Sequence, residues 1–308
     1  MIQEIVKFNA TDGITLDGYI NKCEKNTKKI LIQIHGMTSN CFKYRNNVIA
    51  DAVANLGIDT FCFNNRGSEI AKLIKGNDGI TRLGGTAYEE ISECYFDLCG
   101  AIELALSKGY EDIYLQGHSL GSTKVVYTYN RLLQDNKEYA NHIKALILLS
   151  LVDLPMVVKH YGKDKIEYAK ALVDKGEGKI IMESDSFPYP LSAKVFLRYA
   201  TNNDDINFAK FGDEEDNFEV LNSFKIPMFF RWGNVEEILS LSVDKQVDFV
   251  KKKIHNNHMD VGFIDGANHS YHGKEKQLAS EIENFFKKYL VEVVEYSVFQ
   301  KLSEKRRR

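Results

Sequence analysis

Residues 117–121 read Gly-His-Ser-Leu-Gly, a G-x-S-x-G pentapeptide whose central serine, Ser119, is a candidate nucleophile. A strand-like apolar run, Ile113-Tyr114-Leu115-Gln116, precedes it, and a helical pattern follows it. That context is what the chemistry needs. The turn must be so tight that a Cβ on either flanking residue would clash, and the serine hydroxyl then projects from a strained backbone. The amides that open the following helix point at the same spot and stabilise developing negative charge.

A serine hydroxyl is a weak nucleophile at its own pKa and needs a general base. Behind such an elbow the acid comes next in the chain and the base follows it. Eight histidines are available. His35 and His118 precede Ser119, His142 and His160 come before any acid in the expected place, His255 falls at a helix end, and His258 opens a strand. His269 lies in Ile264-Asp265-Gly266-Ala267-Asn268-His269-Ser270, a glycine-containing loop after the last strand-like run, and is the expected base, with His272 as the fallback. The acid belongs after the run at 228–232, where the chain continues Gly233-Asn234-Val235-Glu236-Glu237. Glu236 is the leading candidate, and Glu237 and Asp244 remain open. Its carboxylate would accept the imidazole N–H, fix the tautomer and stabilise the imidazolium. Two backbone amides must hold the oxyanion. One is that of Leu120, after the nucleophile; the other is that of Met37, in His35-Gly36-Met37-Thr38, where the glycine permits close approach. His35 anchors that loop by hydrogen bonding.

The elements that must position these groups read as follows. Residues 2–8 and 14–20 alternate about the turn Thr11-Asp12-Gly13, as two antiparallel strands do. The unbroken run Ile30-Leu31-Ile32-Gln33-Ile34 suits a strand buried on both faces. Helices are expected over 42–56, from Ala87 to about Ser107 behind a Thr86/Glu89 capping box, after Ser119, and over 274–289. Further strands are expected at 60–63, 145–150, 228–232 and 259–264. Strands alternating with helices make a mainly parallel α/β sheet. The alternation stops between Pro155 and Pro227. The division expected is a catalytic core of residues 1–155 and 223–308, with 156–222 inserted as a cap above the strand ends where such sheets bind ligands.

Composition removes other classes. Forty Lys and Arg offset forty-three Asp and Glu, a net charge of −3, so the chain lacks the basic excess that a nucleic-acid partner demands. The most apolar stretch, 145–152, is far shorter than the ~20 residues of a membrane helix, so no membrane span is expected. Five cysteines without a C-x-x-C pair and an N-terminus without a secretory apolar core suggest reduced thiols and a cytoplasmic setting. The His255/His258 and His269/His272 spacings lack a convincing third ligand, so neither metal nor organic cofactor is expected.

Together, HGMT at 35–38, NNRGS at 64–68, GHSLG at 117–121, WGNVEE at 232–237 and GANHS at 266–270 resemble the α/β-hydrolase superfamily of serine hydrolases. The resemblance spans the chain. It implies a mostly parallel eight-stranded sheet flanked by helices with a helical cap, and a triad of Ser119, Glu236 and His269. Asp is the commoner acid in that family, and the NNRGS segment has asparagine where the family often has aspartate. The cap segment 190–197 resembles a branch that includes hydrolases of ester-linked hydroxamate siderophores and, more weakly, the caps of feruloyl and cinnamoyl esterases. The expected activity is hydrolysis of a small-molecule acyl ester through an acyl-enzyme. The alternatives are an acyltransferase, a thioesterase or a peptidase with the same triad, or a binding protein without turnover. Phe187, Tyr189, Phe196 and Tyr199 could build the cap's own core, line the acyl pocket or join two copies of the chain, and the sequence leaves the oligomeric state open.

Overall fold

Apolar runs become strands here because each loses water on both faces of one sheet. The computed structural model describes residues 2–201, 206–235 and 239–289. Its elements, in chain order, are β1 (Ile2–Asn9), β2 (Thr15–Lys22), β3 (Lys29–Ile34), α1 (Tyr44–Ala54), β4 (Asp59–Asn64), β5 (Lys72–Lys75), β6 (Thr81–Gly84), α2 (Cys94–Ser107), β7 (Asp112–His118) and α3 (Leu120–Asp135). They continue with α4 (Lys137–His142), β8 (Ile143–Leu149), α5 (Leu154–Gly162), α6 (Ile166–Asp174), α7 (Ala193–Ala200), α8 (Glu219–Ser223), β9 (Met228–Gly233), α9 (Val243–Lys253), β10 (Met259–Ile264) and α10 (275–289).

Eight strands form one sheet in the order β1-β2-β4-β3-β7-β8-β9-β10. β2 runs antiparallel to both β1 and β4, and the other pairings are parallel. Side chains alternate between two apolar layers. Ile30, Ile32, Leu115, Leu148 and Phe230 face α2, α3 and α9. Leu31, Tyr114, Ile147 and Phe229 face α1 and α10, where Ile49, Leu278, Ile282 and Phe286 meet them. Every side chain of β9 is buried, whereas β1, at the sheet edge, buries only Val6 and Phe8.

The chain between β8 and β9 divides in its packing. Helices α5, α6 and α7 share an apolar cluster of their own, which includes Val158, Leu172, Phe196 and Tyr199 and closes over Leu120 and Ile91. Phe208, Phe211, Phe218, Leu221 and Phe224 instead join the main core beside α3 and α9. The stretch 156–222 thus contains a helical layer followed by a return segment packed on the sheet.

Two expectations need correction. The helix expected from Ala87 begins at Cys94, after a single 3₁₀ turn at Ile91–Glu93. Thr86 and Glu89 do not cap it. The Thr86 hydroxyl accepts the Thr38 amide at 2.7 Å and donates to the Gly67 carbonyl at 3.0 Å, and Glu89 forms an ion pair with Lys124. Tertiary partners outcompeted the local cap. The hairpin of β5 and β6, a separate two-stranded sheet, was also absent from the sequence reading, because its short strands are largely exposed and lack a sustained apolar run.

Candidate active site

β7 delivers Ser119 to the start of α3 at φ 57° and ψ −126°, a conformation that costs an ordinary side chain strain energy. The strain is held by the turn's surroundings. The Ser119 amide donates to the Leu149 carbonyl of β8 at 2.8 Å. A Cβ at Gly121 would sit 2.5 Å from the Ile34 carbonyl oxygen and 2.8 Å from that of His35, so only glycine lets α3 approach β3 this closely. A Cβ at Gly36 would lie 3.0 Å from the Cβ of Ser119 and 2.9 Å from the His118 carbonyl oxygen. The two loops that carry Met37 and Leu120 therefore touch at Ser119.

A cavity of about 270 Å³ opens here, lined among others by Gly36, Met37, Ser119, His269 and His272. That volume is at the small end of ligand pockets, roughly 300–1,000 Å³. Leu120 is fully buried at the first position of α3, with its side chain in the α5–α7 layer. His35 is buried and does no more than hold its loop: Nδ1 bonds the Gly36 carbonyl at 2.9 Å, and Nε2 accepts the Asn65 amide at 3.3 Å. Burial, followed by the nearby charge of Lys124, pushes its pKa down to about 3, so the ring is neutral.

The loops that follow β9 and β10 are stitched together. The amides of Asn234 and Val235 both donate to the Ala267 carbonyl at 3.0 Å, and the Asn234 side chain bonds Asp265 and the Gly266 amide. The chain leading into Glu236 thus meets the chain leading into His269. Glu236 and Glu237 themselves lie outside the described residues. Asp244 is exposed in the first turn of α9 and does not line the Ser119 cavity.

Sequence reasoning missed several groups at this site. His118 Nε2 donates to the backbone carbonyl of His269 at 2.7 Å. Burial and the adjacent Arg45 and His269 hold its pKa well below the usual histidine value, so it is a neutral prop for the loop that carries His269. Thr86 pins Thr38, which sits at φ 51° directly after Met37. Lys43, Arg45 and Glu275 also line the cavity, as does Tyr189, one of the aromatic residues that the sequence offered for the acyl pocket. Of the groups missed, only His118 is adjacent in sequence to a recognised motif residue; Lys43, Arg45 and Glu275 have no local signal.

Among the described residues, no group of three or more His, Cys, Asp or Glu side chains is placed to hold a metal ion, and no helix is long and apolar enough to cross a membrane.

The strand order, the elbow and the loop positions define an α/β-hydrolase fold. Known structures agree. Est1E from Butyrivibrio proteoclasticus with ferulic acid bound matches with a TM-score of 0.62 at 17% identity over 92% of this chain and 99% of that one. A soluble variant of monoglyceride lipase from Saccharomyces cerevisiae, in complex with a substrate analogue, matches at 0.62 and 14% over 94% and 96%. The α/β hydrolase GrgF from Penicillium sp. sh18 matches at 0.64 and 13% over 94% and 99%. No curated protein sequence matches the chain. Residues 88–291, more than half of its length, match the family described as "Protein of unknown function (DUF1749)", and the chain belongs to that family.

Proposed function

We propose that this chain is a serine hydrolase, a carboxylesterase for small or medium acyl esters. The observation that carries the reading is the strained Ser119 at a strand–helix turn, sharing one cavity with His269 and the Met37 loop. His269 takes the hydroxyl proton as Ser119 Oγ attacks the acyl carbonyl. The amides of Leu120 and Met37 receive the oxyanion, and Glu236, or Glu237 in its place, steadies the imidazolium. Collapse of the tetrahedral intermediate breaks the ester C–O bond, and His269 returns the proton to the leaving alcohol. Water then repeats the sequence on the acyl-enzyme and releases the acid. Residues 156–222 act as the cap, and Tyr189, on the cavity wall, supports that role. The esterases among the similar folds fit this reading, as does the resemblance of the cap to those of siderophore and cinnamoyl ester hydrolases.

A fluorophosphonate probe should label the wild-type chain and not Ser119→Ala, whose ester hydrolysis should fall by roughly 10⁴-fold or more. Absence of wild-type labelling, or labelling of Ser119→Ala, refutes the proposal. A panel of matched ester, thioester and amide substrates should show ester preference; a preference for thioester or amide would move the activity to a thioesterase or peptidase.

A further inference from the structure

Four cationic Lys and Arg side chains are buried among the described residues: Arg45, Arg66, Lys124 and Arg231. A buried charge is costly unless it is paired. Arg66 meets Asp12 at 2.9 Å, Glu93 at 3.0 Å and Asp97 at 2.8 Å. Arg231 meets Asp260 at 2.8 Å and Glu281 at 2.5 Å, and Lys124 meets Glu89. Arg45, only 6% exposed, has no carboxylate partner among the described residues. Its one hydrogen bond runs from Nη1 to the Ser270 carbonyl at 3.2 Å, its Nε is buried without a partner, and its charge lies 5.9 Å from the Tyr271 ring centre.

The unpaired guanidinium is also the one that lines the Ser119 cavity. Lys43, exposed at the N-cap of α1, lines the same wall and forms no ion pair. Among the described residues Glu275 is the one carboxylate on the cavity lining, and no ion pair joins it to either cation. These three side chains leave the wall with a net charge of +1. A guanidinium's two terminal nitrogens match a carboxylate through two parallel hydrogen bonds, a geometry that an ammonium lacks.

We propose that the Ser119 pocket takes small esters bearing a second, ionised carboxylate, which Arg45 binds with help from Lys43. The inference rests on the esterase reading and narrows it. The missing partner of the buried arginine is then part of the substrate, and its charge is satisfied when the ester is in place. Ordering of the Ser270 carbonyl by Arg45 accounts for one of its five N–H groups and leaves the other four without a role.

The test compares kcat/KM within matched pairs. One pair carries the charge on the acyl side, 4-nitrophenyl hydrogen adipate against 4-nitrophenyl hexanoate. The other carries it on the leaving group, 4-carboxyphenyl hexanoate against its methyl ester. The wild-type chain should prefer the anion about tenfold or more in at least one pair. Arg45→Gln should bring that ratio close to one, Lys43→Gln should lower it by about two- to threefold, and Arg45→Lys should retain part of it. No preference in either pair, or a ratio unchanged in Arg45→Gln while both rates fall together, overturns the proposal and leaves Arg45 as a support for the base loop. Should Arg45→Gln fail to fold, the wild-type ratio and Lys43→Gln decide. A wild-type chain that hydrolyses none of the four esters counts against the esterase reading. Adipate titrated calorimetrically into Ser119→Ala then decides the anion site alone. Binding that weakens about tenfold with Arg45→Lys supports the site, and absence of binding refutes it.

Discussion

Buried charge is treated in opposite ways at the Ser119 cavity and away from it. On the α2–α3 face, Arg66 is surrounded by three carboxylates and Lys124 is closed against Glu89. On the α1–α10 face, Arg231 is likewise paired, with Asp260 and Glu281, whereas Arg45, at the edge of the cavity, has no ion-pair partner among the described residues. The α2–α3 side shapes the site from beneath. The Lys124–Glu89 pair ties α3, one turn past Ser119, to the 86–93 segment, and Thr86 in that segment holds the loop of Met37. Glu90 also meets Lys194 at 3.1 Å and Arg198 at 3.5 Å, so the same segment carries α7. Paired charges here are fasteners between elements, and the one without an ion-pair partner among the described residues lines the Ser119 cavity.

The largest effect should come from breaking a fastener. Glu89→Ala leaves Lys124 charged and buried with only the Asn65 side chain near it, at 3.3 Å. The expected loss is about 3–5 kcal/mol in denaturant unfolding, as for other buried pairs deprived of one partner. A loss no larger than that of Arg45→Met would dissolve the contrast between the paired charges and Arg45.

Thr86→Val should cost less, about 1–3 kcal/mol, because it leaves the half-buried Thr38 amide without its acceptor. Its sharper reading is kinetic. The Met37 amide should lose its fixed position, so kcat falls by about tenfold while KM changes little, and Thr86→Ser restores both. A uniform rise in KM without a fall in kcat would separate Thr86 from the oxyanion site.

Acid should weaken the fold through its buried histidines. His35, held at about 3 against an ordinary 6.5, stays neutral when folded and protonates when unfolded. The unfolded chain therefore binds more protons between those values, so this contribution is present above about pH 6.5 and is lost as pH falls toward 3. His118, also depressed by burial, acts in the same sense. Asp97 and Glu89, raised by burial, act oppositely and lose stability as pH rises through their own window. His35→Asn should flatten the decline of Tm between pH 6.5 and 4 relative to the wild-type chain; an unchanged slope would place the acid sensitivity elsewhere.

The smallest change is expected at Arg45. Arg45→Met removes an unpaired buried charge along with one hydrogen bond, and stability should stay within about 1 kcal/mol of the wild-type chain. A loss as large as that of Glu89→Ala would mean that Arg45 already has its counter-charge within the fold.

Much of this molecule was readable in one dimension. The turn at 117–121, the strand runs at 30–34, 113–116 and 228–232, and the loop at 266–270 after the last strand all depend on residues within a few positions of one another, and each is present as expected. The 86–93 segment shows where such reading fails. Thr86 and Glu89 carry the spacing of a helix cap, but their partners are Thr38, Gly67 and Lys124, placed beside them by the sheet. Arg45 is a stronger case, because its side chain's hydrogen-bonding partner among the described residues lies 225 residues away.

The sequence by itself determined where the chain extends, where it coils and which serine is forced into a strained turn, because steric and apolar patterning act between neighbours. The tertiary structure alone decided which charges are neutralised and which one faces the cavity. Burial and electrostatic pairing act through space, and a charge's surroundings are set by whichever distant segments fold around it.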